Sequence, residues 1–529
     1  MRKYYFIIAA VALGVYLPVL GFGFVNLDDP QLVYKNYLVR SFSPNIFTTY
    51  DPELYIPLTL LTYQIEHAFI GLQPMYYHLL NLIIHGANAI LLLCILKKFL
   101  KTELWLLPLL GALLFVVHPL NTEAVVWISA RKDLLSGFFF LFALLSYLHD
   151  KKKTSVIFFV LALLSKVTAI TLIPVLFLVD YLLGKKLQRD SIVAKWPYII
   201  LGIIFAGIAL GGKTQNLSAL TAAEFALLGS KSIIFYLQKL VVPMDLSVLY
   251  PWTDSITLLS FAFALPVLLI MVVGLMLIYT WKHKREIFFG FAFFLVTLAP
   301  SLLTFSKVGD IYFASDRYAY IPSIGIIFLL LIWISQSRLR QNAVMTLSVV
   351  LLVTFGVAAR NRSQVWNNSE TLFVDVLSKY PQAHLAEENL GHLYLMEGRT
   401  DEAIEHLENA LTLKSDSFAA HNNLGFIRMV QGNYNTALSH FQASMEANSI
   451  YPPTHVNIGV WHAKQGNYDI AEQALQNAIE LDPYMAQAYY NLAGVYLKQG
   501  DEESAKAFYA KTLMLEPGHR DALRQLQKW

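Results

Sequence analysis

Apolar residues fill the chain in long runs from Met1 to about Arg360. Beyond that point they recur at helical spacing among polar residues. The first pattern suits a bilayer and the second suits helices packed in water, so the chain divides into a membrane region and a soluble helical region. Runs near 4–24, 76–96, 104–119, 134–149, 155–167, 169–184, 196–212, 257–281, 286–305, 318–336 and 342–360 are read as spans, about eleven in all. The run from Tyr4 to Phe24 is long enough to cross, and no small-residue cleavage site follows it. It is expected to be a retained first helix rather than a signal peptide. The segment 229–250 is apolar but interrupted by Lys239, Pro243 and Asp245, and is read as interfacial or re-entrant.

Basic clusters alternate with these runs. Arg2 and Lys3 precede the first; Lys97, Lys98 and Lys101 follow the second; Lys151 to Lys153 follow the fourth. Lys185, Lys186 and Arg189 follow the sixth, Lys282, Lys284 and Arg285 the eighth, and Arg338 and Arg340 the tenth. The positive-inside tendency makes that side cytoplasmic. An odd number of crossings then places everything after Arg360 outside the cytoplasm, in a bacterial periplasm or an ER lumen.

The soluble region repeats. Asn389-Leu390-Gly391, Asn423-Leu424-Gly425, Asn457-Ile458-Gly459 and Asn491-Leu492-Ala493 recur every 34 residues. Gly398, Gly432, Gly466 and Gly500 keep the same step, as do Ala403, Ala437, Ala471 and Ala505. This is the tetratricopeptide (TPR) pattern of helix, glycine turn and second helix. No single pair can bury its apolar face, so the units must stack. Repeats are expected near 384–417, 418–451, 452–485 and 486–519, with a half repeat before them and a capping helix after. Asn389, Asn423, Asn457 and Asn491 form a ladder of amides that can donate to and accept from a peptide backbone without reading its sequence. The alternative is that Asn is simply common at this position of the repeat.

Composition agrees with the division. Of the 529 residues, 56% are hydrophobic and 15% charged, against roughly 25% charged in an ordinary soluble chain. The net charge of +3 does not suggest a nucleic-acid partner. A single cysteine, Cys94, excludes a disulfide framework within the chain. There is no Walker loop or dinucleotide glycine fingerprint, and His67, His78, His85 and His118 show no metal-ligand spacing.

Polar residues at the outer ends of the spans are the candidates for chemistry, because charge there is costly. Asp28-Asp29 directly follows the first span. A carboxylate fixed at the lipid boundary can act as a general base toward a hydroxyl, although Asp-Asp-Pro is also a plain turn with a helix cap. His118, Glu123, Arg131, Lys132 and Asp133 belong to the loop between the third and fourth spans. Arg131 and Lys132 are cations on the face where basic charge is disfavoured, suited to a lipid phosphate or to an ordinary salt bridge with Asp133 or Glu123. Lys166 sits in the next outer hairpin, and Asp316 and Arg317 open the tenth span. Each cation alone is explained by snorkelling to headgroups. Arg131, Lys166 and Arg317 together are expected to converge on one membrane face.

An apolar helix followed by Asn26-Leu27-Asp28-Asp29 resembles the first loop of the integral-membrane GT-C glycosyltransferases. The blocks His118-Pro119…Thr122-Glu123…Trp127…Arg131…Asp133 and Ser315-Asp316-Arg317-Tyr318…Tyr320…Pro322-Ser323, in this order and joined to TPR repeats, resemble the TMTC family, transmembrane and TPR-containing O-mannosyltransferases, and bacterial relatives. The resemblance covers nearly the whole chain. It implies a polyprenyl-phosphate sugar donor, dolichyl-phosphate-mannose in the eukaryotic family, and a protein Ser or Thr hydroxyl as acceptor. It implies an inverting displacement in which Asp28 or Asp29 takes the hydroxyl proton while Arg131, Lys166 or Arg317 stabilises the leaving phosphate. His118, Glu123, Asp133 and Asp316 would support that site. No resident cofactor is implied, and the mechanism does not require a metal.

The fold class expected is all-α: a polytopic transmembrane helix bundle over 1–362, a connecting half repeat over 363–383 and a TPR solenoid over 384–529. The TPR groove would engage the protein acceptor. Two competing readings remain at this stage, a non-enzymatic envelope scaffold organised by the TPRs and a transporter of lipid-linked sugars. The second would want charges in mid-span and an inverted repeat, and neither is evident.

Overall fold

The computed structural model describes residues 2–50, 54–100, 106–186, 188–212, 220–307, 310–337 and 341–529. Lys101, Arg338 and Arg340 of the basic clusters lie outside the described residues. Among the described residues the chain is all-α apart from a two-stranded fragment, Ser306–Lys307 against Asp310–Ile311, and a single bridge between Pro251 and Tyr312. It forms two compact units, Met1–Tyr380 and Pro381–Trp529.

In the first unit every apolar run read as a span contains helix among its described residues. By length and apolarity alone, Arg2–Gly21, Pro74–Phe99, Phe261–His283, Arg285–Leu303 and Asn342–Gln364 can each cross a bilayer. Leu106–Val117 and Pro119–Val126 form a sixth, bent by 53°. The bend is local chemistry: Pro119 cannot continue the hydrogen-bond ladder. His118 Nδ1 accepts the Leu120 N–H (3.2 Å), and its Nε2 donates to the Leu240 carbonyl (3.0 Å). Thus His118 caps a helix break. Arg131–Leu148 and Lys152–Ser165 pack as a hairpin, with Phe142 and Phe158 ring centroids 4.1 Å apart.

Two longer helices of this unit lie outside the runs read as spans. Of the segment read as interfacial, 229–241 lies in the helix Ala222–Val241, opened by a capping box between Thr221 and Glu224, and 242–250 is irregular. Pro57–Ile70, which the span pattern did not single out, is also a helix. The half repeat is helical as Ser369–Lys379 but belongs to the first unit. Arg362 pairs with Asp375 (2.7 Å), Lys379 Nζ donates to the Leu246 carbonyl (2.7 Å), and Tyr380 packs on Tyr250.

The second unit is the array. Its helix pairs are His384–Met396 with Thr400–Leu413, Phe418–Val430 with Tyr434–Ala447, Pro452–Lys464 with Tyr468–Leu481, and Ala486–Gln499 with Glu502–Leu515, closed by Arg520–Leu526. Gly398, Gly432, Gly466 and Gly500 have φ of +77°, +82°, +78° and +86°, the left-handed turn that ends each first helix. At Gly391, Gly425 and Gly459 a Cβ would lie 2.6 Å from the facing Leu407, Phe441 or Leu475 side chain, so the two helices of each pair meet at a glycine. Ala403, Ala437, Ala471 and Ala505 are fully buried on the second helices.

Candidate active site

The adjacent carboxylates separate. Asp29 is 1% exposed. Its Oδ2 accepts the Val25 N–H (2.9 Å), and its Oδ1 accepts the Ser129 N–H (3.1 Å) and Oγ–H (2.5 Å). Burial pushes its carboxyl up to about 6, against the opposing effect of those three hydrogen bonds. Asp29 therefore braces the first loop against the 118–131 loop. The Asp28 side chain is 44% exposed, and its Oδ2 lies 3.3 Å from Lys132 Nζ. The same loop is held from behind by two further bonds: Gly23 N–H to the Asn367 carbonyl (3.2 Å) and Asn26 N–H to Ser369 Oγ (2.8 Å).

Arg131 does not reach the site expected of it. Its side chain is fully buried. Nε donates to Asn81 Oδ1 (2.8 Å), Nη1 to Thr62 Oγ1 and Glu66, and Nη2 to Glu66 and the Tyr77 carbonyl (2.9 Å). The guanidinium lies against the rings of Tyr63 and Tyr77, 4.6 and 5.6 Å from their centroids. No donor is left for a phosphate. The partner is Glu66, on the helix the span pattern passed over, rather than Asp133 or Glu123. Burial holds Glu66 above the ordinary carboxylate range, while Arg131 acts the other way.

Lys132 takes the place expected of Arg131. Consecutive residues of a helix point about 100° apart. When Arg131 turns inward at the start of its helix, Lys132 therefore turns toward Asp28. Lys132 Nζ stands 5.3 Å from the Trp127 ring and Arg317 stands 4.9 Å from it. Arg317 also covers the Tyr318 ring (4.8 Å), and Lys166 Nζ lies 5.3 Å from the same ring. Lys166 closes the row on Asp133 Oδ1 at 2.6 Å. Three cations are thus spaced by two aromatic faces, each ring stabilising two of them. Asp28, Arg317, Lys166 and Asp133 all act electrostatically on the Lys132 ammonium.

Asp133, Lys166, Arg317 and Tyr318 line one cleft, together with the hydroxyl-bearing Thr168, Thr171, Thr297 and Ser301. Glu123 lies behind it, fully buried, accepting from Arg317 and from Ser315 Oγ (2.9 Å). Asp316 faces away: its Oδ1 accepts the Tyr250 hydroxyl (2.7 Å), and burial with the neighbouring Glu123 charge holds it well above the ordinary carboxylate range. Trp127 stacks on Trp366, with centroids 5.7 Å apart.

The asparagine ladder stands half-buried in the array at equivalent positions. Asn389 Nδ2 donates to the Leu385 carbonyl (2.7 Å), Asn457 Nδ2 to Asn422 Oδ1 (2.8 Å), and Asn491 Oδ1 accepts from Gln487 Nε2 (3.1 Å). Asn423 occupies the same register.

Comparison with known proteins bears on both units. Family models for the tetratricopeptide repeat match residues 391–432 and 462–529. Over 433 residues the chain is 24% identical to a Caenorhabditis elegans protein O-mannosyl-transferase, covering 77% of this chain and 62% of that one. Over 430 residues it is 25% identical to protein O-mannosyl-transferase TMTC3 of Mus musculus, covering 69% of this chain and 45% of that one. The chain is TMTC-like. It spans about half to three-fifths of the length of these two relatives. Among solved structures, pilF of Pseudomonas aeruginosa matches 28% of this chain and 67% of its own, at 25% identity and a TM-score of 0.26.

Proposed function

We propose that the chain is a membrane glycosyltransferase that moves a sugar, mannose by the names of its relatives, from a polyprenyl-phosphate donor to a protein Ser or Thr hydroxyl. One observation carries the reading: a half-exposed carboxylate, Asp28, stands beside Lys132, at one end of the row Lys132, Arg317 and Lys166. That pairing suits an inverting displacement. Asp28 accepts the proton of the acceptor hydroxyl as its oxygen attacks the anomeric carbon. The bond from that carbon to the phosphate oxygen breaks, and the departing lipid phosphate keeps the electron pair. Its growing negative charge falls on cations already in place, the preorganised electrostatics that lowers such barriers most. Arg317 presents a planar fork to phosphate oxygens, held flat by Glu123 and Tyr318. The hydroxyls of Thr297 and Ser301 suit a sugar in the same cleft.

Asp29 is assigned the role of brace, since its acceptors are already taken. The TPR array, by its ladder of amides, is assigned to the acceptor polypeptide. The alternation of basic clusters supports an extracytoplasmic array, periplasmic in a bacterium or lumenal in the ER. The second reading, a non-enzymatic scaffold, is favoured only by the array, which needs no chemistry to bind peptides.

The test is transfer of radiolabelled mannose from polyprenyl-phosphate-mannose to an envelope protein extract by the purified chain. Asp28→Asn is expected to lower transfer by about 10²–10⁴-fold while the protein still folds. Transfer indifferent to Asp28→Asn would remove it as the base. Absence of transfer with several donor sugars would leave the scaffold.

A further inference from the structure

We infer that a groove on the lipid-facing side of the membrane unit holds one chain of an anionic phospholipid, whose phosphate rests on Arg360. The groove runs between the helices Arg2–Tyr16, Leu106–Val117 and Gln341–Gln364 and encloses about 350 Å³. That is within the size range of small-molecule sites. Val15, Leu113, Val117, Val353 and Val357 form its walls, and Arg360 is its one charged lining residue.

Three features make this a built site rather than a gap. It is open where the backbone could have been filled: a Cβ added at Gly14 meets nothing within 4 Å. Val353 and Val357 are 60% and 54% exposed on a helix otherwise suited to cross the bilayer. An apolar groove on such a helix is covered by hydrocarbon rather than by water. Finally, Arg360 Nη1 donates to the Gly14 carbonyl (2.8 Å), which fixes the guanidinium at the groove's end. No carboxylate pairs with Arg360 among the described residues. A fork-shaped cation with donors to spare, standing at the end of an apolar channel, matches a phosphate joined to an acyl chain.

The end that carries Arg360 is also the end of the Asp28 loop, because Gly23 bonds to Asn367 just beyond the same helix. The groove shares no lining residue with the cleft of Arg317 and Lys166. The inference therefore stands whether or not the chain transfers sugar.

The full chain would be extracted from nanodiscs containing equal phosphatidylglycerol and phosphatidylcholine, and the retained lipid counted by native mass spectrometry. Wild type is expected to retain phosphatidylglycerol about fivefold over phosphatidylcholine, the preference one interfacial cation supplies. Arg360→Gln should remove the preference and Arg360→Lys should keep part of it. Gly14→Leu should fill the groove and lower retention of both lipids. Circular dichroism on each variant controls for folding. Equal retention of the two lipids by wild type overturns the proposal, as does an Arg360→Gln protein that keeps the preference. Unchanged retention in Gly14→Leu would show that lipid binds elsewhere.

Discussion

Arg131 and Arg317 look alike in sequence and differ in the fold. Arg131 opens the helix Arg131–Leu148 and Arg317 lies in the short turn Asp316–Ala319; each is buried, and each pairs with a glutamate. Around Arg131 all the donors are met by Glu66, Asn81, Thr62 and a carbonyl, and two tyrosine rings lie against it. Arg317 is held by Glu123 and Ser315 on one side, while its other side lines a cleft with Lys166 and Asp133. One guanidinium is spent on holding helices together, and the other is held in place with a face left open. A buried cation therefore becomes a candidate for chemistry by what it leaves unsatisfied, not by its burial.

The largest effect should separate the two on different readouts. Arg131→Met strands the Glu66 carboxylate in a buried site and is expected to cost about 3–5 kcal/mol of stability, read as a lowered thermal midpoint in detergent. Arg317→Lys, which keeps a charge for buried Glu123 but loses the planar fork, is expected to lower transfer about 10²–10³-fold in protein that still folds. If Arg131→Met kept its thermal midpoint and lost donor binding instead, the contrast would collapse. Lys132→Met should follow with a loss of about 10–100-fold in transfer, the scale of one charge-assisted hydrogen bond. A Lys132→Met enzyme as active as wild type would return the phosphate role to residues outside this row.

A smaller effect concerns pH. The Asp29 carboxyl is pushed from 3.8 up to about 6 by burial. An acid with a raised folded value favours the folded state below its unfolded value, and that contribution is lost as pH rises through the folded one. Wild type should therefore lose stability relative to Asp29→Asn between about pH 4 and pH 6, although Asp29→Asn also sacrifices a hydrogen bond. Parallel unfolding curves for the two proteins across that window would contradict the assignment of Asp29 as a buried brace. The smallest effect belongs to the array. Asn423→Ala or Asn457→Ala should raise the KM for a protein acceptor severalfold, at about 0.5–1.5 kcal/mol per hydrogen bond, with kcat unchanged. A fall in kcat at constant KM would argue against peptide capture by the ladder.

The array was nearly all legible from the chain, because its contacts are local. Each glycine turn, buried alanine and close helix contact recurs within one 34-residue unit. The apolar helices were legible for a similar reason, since long apolar runs form helices, although only five of them, or six with the bent pair, are long and apolar enough to cross a bilayer among the described residues. The helix Pro57–Ile70 was not, because its buried Thr59, Gln64 and Glu66 break the apolar pattern for the sake of partners elsewhere.

The candidate site divides along the same line. The sequence alone marked the loops: Asp28-Asp29, the block from His118 to Asp133, Lys166, and Asp316-Arg317. Only the tertiary structure decided which of two neighbours is tied into the fold, Asp29 rather than Asp28 and Arg131 rather than Lys132. Those choices rest on partners far along the chain. Asp29 is taken up by Ser129, 100 residues on, Arg131 by Glu66, 65 residues back, and Arg317 by Glu123, 194 residues back. Adjacent side chains share a composition and a spacing, so no local pattern distinguishes them. What separates them is which neighbour is tied to partners deep inside the fold, Asp29 and Arg131, and which meet each other, Asp28 and Lys132 at 3.3 Å.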